Sequence, residues 1–225
     1  MDFRRGYLDA LGVTVWERRE PRAIASIGVA PTAEPSVLDA DDAGPWSVLA
    51  QTVSRCTQCK LHSTRTQTVF GVGNRRAAWL FVGEAPGADE DRQGEPFVGR
   101  AGQLLNAMLF ALGLKREEVY IANVLKCRPP GNRDPQPDEV EKCEPFLIQQ
   151  IELIRPKLIV ALGRHAAHSL LKTEAPLSKL RGQRLSYRGT PLVITYHPAY
   201  LLRSPADKRR AWDDLCLART IAEAT

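Results

Sequence analysis

The chain has 225 residues, 44% hydrophobic and 25% charged, with a formal net charge of +5. That length buries one good core, so one domain plus an appendage is the expected organisation, and a basic balance admits a polyanionic partner. Its longest apolar runs, such as Leu158–Leu162, are far too short to span a bilayer, and no long apolar stretch follows the opening Met-Asp-Phe-Arg-Arg. A monomer with no membrane association and a cytoplasmic location is therefore expected.

Residues 1–20 place Leu8 and Leu11 on one helix face up to Gly12, with Val13, Val15 and Trp16 following in extended form. Such a short apolar motif either docks on a partner or folds back on the body. Residues 21–45 change character: Pro21, Pro31, Pro35 and Pro45 are spaced through Ala, Ser and acidic residues, which reads as a flexible linker. The body, residues 46–225, then alternates two signals. Short apolar runs at Trp79–Val82, Val119–Asn123, Leu158–Leu162 and Leu192–Thr195 read as strands. Helical periodicity covers Gln103–Leu112, Pro137–Ile154, the stretch after Gly163 to about Leu171, and Ala206–Ala222. Strands alternating with helices predict an α/β fold with a parallel sheet covered on both faces. In such sheets ligands bind beyond the C-terminal strand ends.

That rule selects three segments. The first strand runs into Gly83-Glu84-Ala85-Pro86-Gly87-Ala88-Asp89-Glu90-Asp91, read as a tight turn rich in carboxylates, and Phe97 follows in a Pro/Gly loop where its ring could stack on a ligand or anchor the core. The second strand ends at Asn123, whose amide offers donors and an acceptor to a base edge. The last strand delivers His197-Pro198-Ala199-Tyr200-Leu201-Leu202-Arg203.

Cysteines supply the other signal. Cys56-x-x-Cys59 forms a clip, and Cys127 and Cys143 lie far downstream around a Pro/Gly/Arg-rich loop. Thiolates at that density in a chain with five cysteines point to a soft metal rather than disulfides. Tetrahedral zinc and an iron–sulfur cluster both fit the spacing. Cys216, between Leu215 and Leu217 in the last helix, reads as packing.

Taken together, Gly83-Glu84-Ala85-Pro86-Gly87, Pro96-Phe97-Val98-Gly99, Asn123-x-x-Lys126-Cys127-Arg128-Pro129-Pro130-Gly131-Asn132-Arg133, His197-Pro198-Ala199 and the four cysteines resemble family 4 uracil-DNA glycosylases over roughly residues 50–220. The resemblance implies a three-layer uracil-DNA glycosylase-like fold, with a four-stranded parallel sheet between helices, and a 4Fe–4S cluster on Cys56, Cys59, Cys127 and Cys143. It also implies excision of uracil from DNA at the start of base-excision repair. Phe97 would stack on the flipped base, and Asn123 would read its edge. His197 would bond the carbonyl oxygen that gains charge, and Gly83 and Ala85 would border the base. Ala85 stands where the best-known uracil glycosylases have an aspartate, so Glu84 is the expected water-orienting group and Glu90 the second candidate. Leu201 would be the wedge filling the vacated stack, with Arg128, Arg133 and Arg203 on phosphates. A covalently trapping branch of the superfamily carries a histidine-containing insertion after the Asn strand; residues 126–133 have none, so turnover is expected. The rival reading is a DNA-binding replisome adaptor with a degenerate glycosylase body. Residues 3–19 also resemble the N-terminal peptide of the psi subunit of the DNA polymerase III clamp loader, which implies binding to the chi subunit.

Overall fold

The computed structural model describes residues 44–224; the docking peptide expected at 1–20 and the linker expected at 21–45, apart from its last two residues, lie outside the described residues. The described residues begin with helix α1 (Pro45–Ser54) and reach a short strand β1 (Val72–Gly73). It continues through β2 (Trp79–Gly83), α2 (Ala88–Gln93), α3 (Arg100–Ala111), β3 (Tyr120–Asn123), α4 (Pro137–Ile154), β4 (Leu158–Leu162) and α5 (Arg164–Leu171). The rest is α6 (Leu177–Leu180), β5 (Leu185–Tyr187), β6 (Thr190–Thr195), α7 (Pro198–Arg203) and α8 (Lys208–Ala224). No helix among them is long and apolar enough to cross a membrane.

One sheet runs β1-β3-β2-β4-β6-β5. The four middle strands are parallel, as the alternating pattern predicts, while β1 and β5 add antiparallel edges. The sequence gives no sign of these edges, since β1 holds only two residues and β5 alternates weakly. The middle strands β2, β3 and β4 are buried at every position because both faces are covered. Leu80, Val82, Ile159 and Ala161 face one apolar cluster, closed by Leu147 and Ile151 of α4 and Ala166 and Leu170 of α5. Their neighbours Phe81, Val160 and Leu162 face a second cluster, closed by Leu105 and Leu109 of α3 and Leu215 and Ala218 of α8. Alternation along each strand thus feeds two helical layers, which makes the three-layer sandwich.

Two segments expected as loops are helical. Ala88–Gln93 forms α2 because Asp89, Glu90 and Asp91 sit in its first turn, where carboxylates favour the exposed N–H groups. Pro198–Arg203 forms α7 because His197 caps it and proline occupies the first turn. Cys216 is half-exposed on α8 rather than part of the core, although Leu215 beside it is buried.

Candidate active site and cysteine centre

The parallel register brings the C-terminal ends of the strands level. Gly83 of β2 pairs with Asn123 of β3, and Leu162 of β4 pairs with Thr195 of β6, so Gly163 and Tyr196-His197 emerge side by side. An open cleft lies over these ends and is lined by Glu84, Phe97, Asn123, His165, His197 and Arg203, among others. It occupies the crevice where strand order reverses around β2 and β4.

The floor depends on missing side chains. A Cβ on Gly83 would lie 2.3 Å from Asn123 Oδ1 and 2.7 Å from Phe97 Cζ, so glycine there is what lets the two functional groups close over the strand end. Gly163 has φ +90°, and its Cβ would meet that of His197 at 2.8 Å. Asn123 is 2% exposed, and its side-chain oxygen has no hydrogen-bond partner within the protein. A buried polar atom left unpaired costs about 1–3 kcal/mol; here the orphan lines the cleft and is set to receive a donor from a ligand. The Phe97 ring lies 5.5 Å from that of His197, tilted by 32°. Phe97 itself holds φ +56°, a conformation a bulky residue adopts only under constraint. The constraint is Glu90. Its Oε1 accepts from the N–H groups of Val98 and Gly99, at 3.1 and 3.3 Å, and its Oε2 accepts from Gly87 N–H at 3.1 Å.

Those bonds change the expectation for Glu90. Both oxygens are committed to backbone, so it clamps the Phe97 loop rather than orienting a water. Glu84 remains half-buried with no hydrogen bond to its carboxylate, and burial, aided by Asp134 against Arg164, pushes its pKa up to about 7. Around it stand residues the sequence reading passed over. His165 Nε2 is 3.9 Å from Glu84 and 3.3 Å from Asp134, and the Arg164 guanidinium lies 3.1 Å from the same nitrogen. The strand-end rule could have found them, since Gly163-Arg164-His165 directly follows β4.

His197 is the most constrained member. The N–H of Ala199 donates to its Nδ1 at 3.1 Å. With Nδ1 as acceptor, the neutral ring carries its proton on Nε2. Burial, the nearby Arg203 and His165 push its pKa down to about 4, so the ring is neutral at ordinary pH. The site therefore presents a neutral N–H donor to the cleft.

A model of the uracil DNA glycosylase superfamily matches residues 70–216, which includes every one of these groups. The chain belongs to the uracil-DNA glycosylase superfamily. It is 50% identical over 165 residues to a type-4 uracil-DNA glycosylase of Archaeoglobus fulgidus, covering 70% of this chain and 83% of that one. To a type-4 uracil-DNA glycosylase of Thermotoga maritima it is 47% identical over 165 residues, covering 72% and 86%. The corresponding enzyme of Sulfurisphaera tokodaii is 42% identical over 183 residues, covering 77% and 83%.

Two expected DNA contacts of this superfamily member are corrected by the structure. Leu201 is 1% exposed and packed inside, so it is not placed to enter a base stack; Leu202, at 36%, is the apolar side chain that α7 shows to solvent. Leu201 shares the inward face of α7 with Pro198, three residues earlier. Arg133 makes a bidentate pair with buried Glu139 at the start of α4, which commits its guanidinium to the protein. Arg203 is exposed at the cleft, and half-buried Arg128 has its Nε–H on Asn132 Oδ1 at 2.7 Å.

Cys56, Cys59, Cys127 and Cys143 all line a second hollow between α1, the Cys127 loop and α4. Their donor set fits a soft metal centre. Arg65 Nη1 donates to Cys127 Sγ at 3.0 Å, and the N–H of Lys126 donates to Cys143 Sγ at 3.2 Å. Burial raises the thiol pKa values of Cys127 and, to about 12, of Cys143. Without a positive centre the buried sulfurs would stay protonated; a bound metal supplies the charge that makes them thiolates. Lys126, buried at 1% exposure, ties the two regions: its Nζ donates to the Asn123 carbonyl at 2.9 Å and to Gln150 Oε1 at 2.6 Å.

Proposed function

We propose that the protein is a monofunctional uracil-DNA glycosylase of type 4, hydrolysing the N-glycosidic bond of uracil in DNA. The observation that carries this reading is the orphaned Asn123 oxygen, facing the same cleft as Phe97 and a neutral histidine donor. Uracil has what the cleft lacks: a flat face for Phe97, an N3–H for Asn123 Oδ1 and a carbonyl oxygen for His197. The bound nucleotide must leave the stack, at a cost of a few kcal/mol that stacking and these bonds offset.

As the glycosidic bond lengthens, electrons move onto the base, and its carbonyl oxygen becomes an oxyanion. Nε2–H of His197 donates to that oxygen. A neutral donor fixed by Ala199 needs no reorganisation, which is what makes such groups effective. Glu84, with a pKa near the working pH, takes the proton of the water that adds to the sugar. Protons and charge then balance: the base leaves as an anion and the water proton rests on Glu84. Gly83 and Ala85 border the seat, Glu90 holds the Phe97 loop, and Arg203 and Arg128 meet phosphates.

For the cysteines we favour a 4Fe–4S cluster. Four sulfurs around one zinc sit about 3.8 Å apart, whereas among the described residues no three of these come within 4.8 Å of one another. When bound, such a cluster would supply a rigid cross-link between α1 and the wall that carries Asn123 and Lys126. Four thiols around a reducible centre suit a reducing compartment such as the cytoplasm. Among the described residues the cleft draws all its lining from one chain, which supports a monomer. For residues 1–20 the psi-like sequence supports binding to chi; a 1–20 peptide that gives no heat with chi in titration calorimetry ends that part.

The test is excision from an oligonucleotide carrying one uracil, with cytosine and thymine controls and alkaline cleavage of the product. Uracil-only strand breaks with turnover are expected. Protein that binds the oligonucleotide without cutting after many hours would make it the non-catalytic adaptor.

A further inference from the structure

Tyr196 and Tyr200 bracket His197, and their rings lie on one another with centroids 5.0 Å apart and planes 20° apart. The guanidinium of Arg181 sits 4.1 Å from the Tyr196 ring centroid, which extends the pair into a ladder of three. Each outer member is anchored. Arg181 pairs with Asp214 at 2.7 Å and bonds the Arg210 carbonyl, while the Tyr200 hydroxyl donates to Asp207 at 2.7 Å. Neither tyrosine belongs to the apolar clusters that build the core. Both are half-buried and line the same cleft as His197 and exposed Arg203.

Two stacked rings fixed at the mouth of a base pocket, with an exposed cation alongside, combine what binds unpaired nucleic acid: a π-face for a base and charge for its phosphate. A base beside uracil in a duplex is held by its own pair and neighbours. In a single strand nothing holds it, and it is free to leave the strand's stack for a protein ring. Accepting the glycosylase reading above, we propose that the Tyr196–Tyr200 ladder is a stacking shelf for the base adjoining the excised uracil, which makes the unpaired strand the preferred substrate. The shelf and His197 share the 196–200 segment. Seating the neighbouring base therefore also sets the uracil against its hydrogen-bond donor.

The test uses the full-length, cluster-loaded protein and single-turnover excision. Single-stranded oligonucleotides carry uracil flanked by normal bases, or by a tetrahydrofuran abasic residue on one side or the other. Base–aromatic stacking of about 1–3 kcal/mol corresponds to roughly 5- to 150-fold in rate, and the wild type should lose that much when one particular flanking base is removed. Tyr200→Ala should lose the same factor on the intact strand and nothing more on the abasic one, and its preference for single strand over duplex should shrink. Tyr200→Phe, which keeps the ring but loses its hydroxyl anchor on Asp207, should keep the dependence on the flanking base and lose less than Tyr200→Ala. Indifference of the wild type to both flanking bases overturns the shelf. So does a Tyr200→Phe loss as large as that of Tyr200→Ala, which would make the hydroxyl anchor the cause. A binding readout needs no variant: 2-aminopurine placed beside 2′-fluoro-deoxyuridine should be quenched on the wild type, and unchanged fluorescence at saturation again overturns the proposal. Failure of the glycosylase reading is separate, because the wild type would then release uracil from none of the strands.

Discussion

The two functional regions of this chain are built in opposite ways. The uracil cleft is finished without its ligand: backbone register, two glycines, the Glu90 clamp and the Ala199–His197 bond fix each group before any base arrives. The cysteine centre, read as a metal site, is unfinished as protein alone, because burial there favours protonated thiols that no protein cation fully offsets. Preorganisation is worth most where charge develops within one bond vibration. Chemistry is therefore expected to live in the cleft and stability in the cysteine centre, with Lys126 between them: its Nζ bonds the Asn123 carbonyl and its backbone N–H bonds Cys143 Sγ.

The sharpest way to break this division is His197→Ala. Loss of one preorganised donor costs about 10²–10³ in rate, so single-turnover excision should fall by that factor while cluster absorbance and melting temperature stay as in the wild type. A variant that loses its colour instead would show that the cleft is not independent of the cysteines. The acid limb tests the same group. His197 must be neutral to play its part as drawn, and its pKa is held down to about 4, so it should impose no loss of activity until the pH falls to that region.

Glu84→Gln comes next, at about 10²-fold or more for removal of a general base. The sign follows from the base role: the carboxylate is active, so the wild-type rate should climb as pH rises through about 7 and level off above it. Glu84→Gln should be flat over the same window. A wild-type rise that survives in the variant would assign the titration to another group, of which His165 is the nearest.

Much of this was legible in the sequence, and the reasons differ by element. The central strand β4 announces itself because both its faces are buried and every residue is apolar, so Leu158–Leu162 could be bounded to the residue. Asn123, Phe97 and His197 were readable because they directly follow such strands or sit in the loops beyond them. What failed was phase. A strand-end rule says that α7 faces the cleft but not which of two adjacent leucines points outward; Leu201 is buried and Leu202 exposed. Partnership failed likewise. Arg133 reads as a free cation until its bidentate bond to Glu139, six residues on, is seen, and Glu90 reads as a spare carboxylate until its three backbone donors are counted. Arg65, which bonds Cys127 from 62 positions away, leaves no trace in local pattern at all.

Arg65 sharpens the comparison from the other side. Removing a group that hydrogen-bonds a metal ligand typically costs about 10- to 100-fold in metal retention. Arg65→Met should lose its colour to a chelator correspondingly faster, yet excise uracil normally per loaded molecule. An excision rate that falls with the colour still present would mean that the cysteine wall tunes the cleft through Lys126.

The smallest expected effect separates the two leucines. Leu201→Ala removes buried packing and should cost about 2–5 kcal/mol of stability, as such core truncations do. Leu202→Ala leaves the core intact and should not change the melting temperature. If Leu202 is the side chain that enters the stack, it offsets part of the cost of extruding the nucleotide, and excision from duplex should slow by about 3- to 10-fold. Single-stranded DNA has no paired stack to hold open, so there the variant should match the wild type. Equal slowing on both substrates would remove Leu202 from the wedge role and leave duplex opening to the charged residues around Arg203.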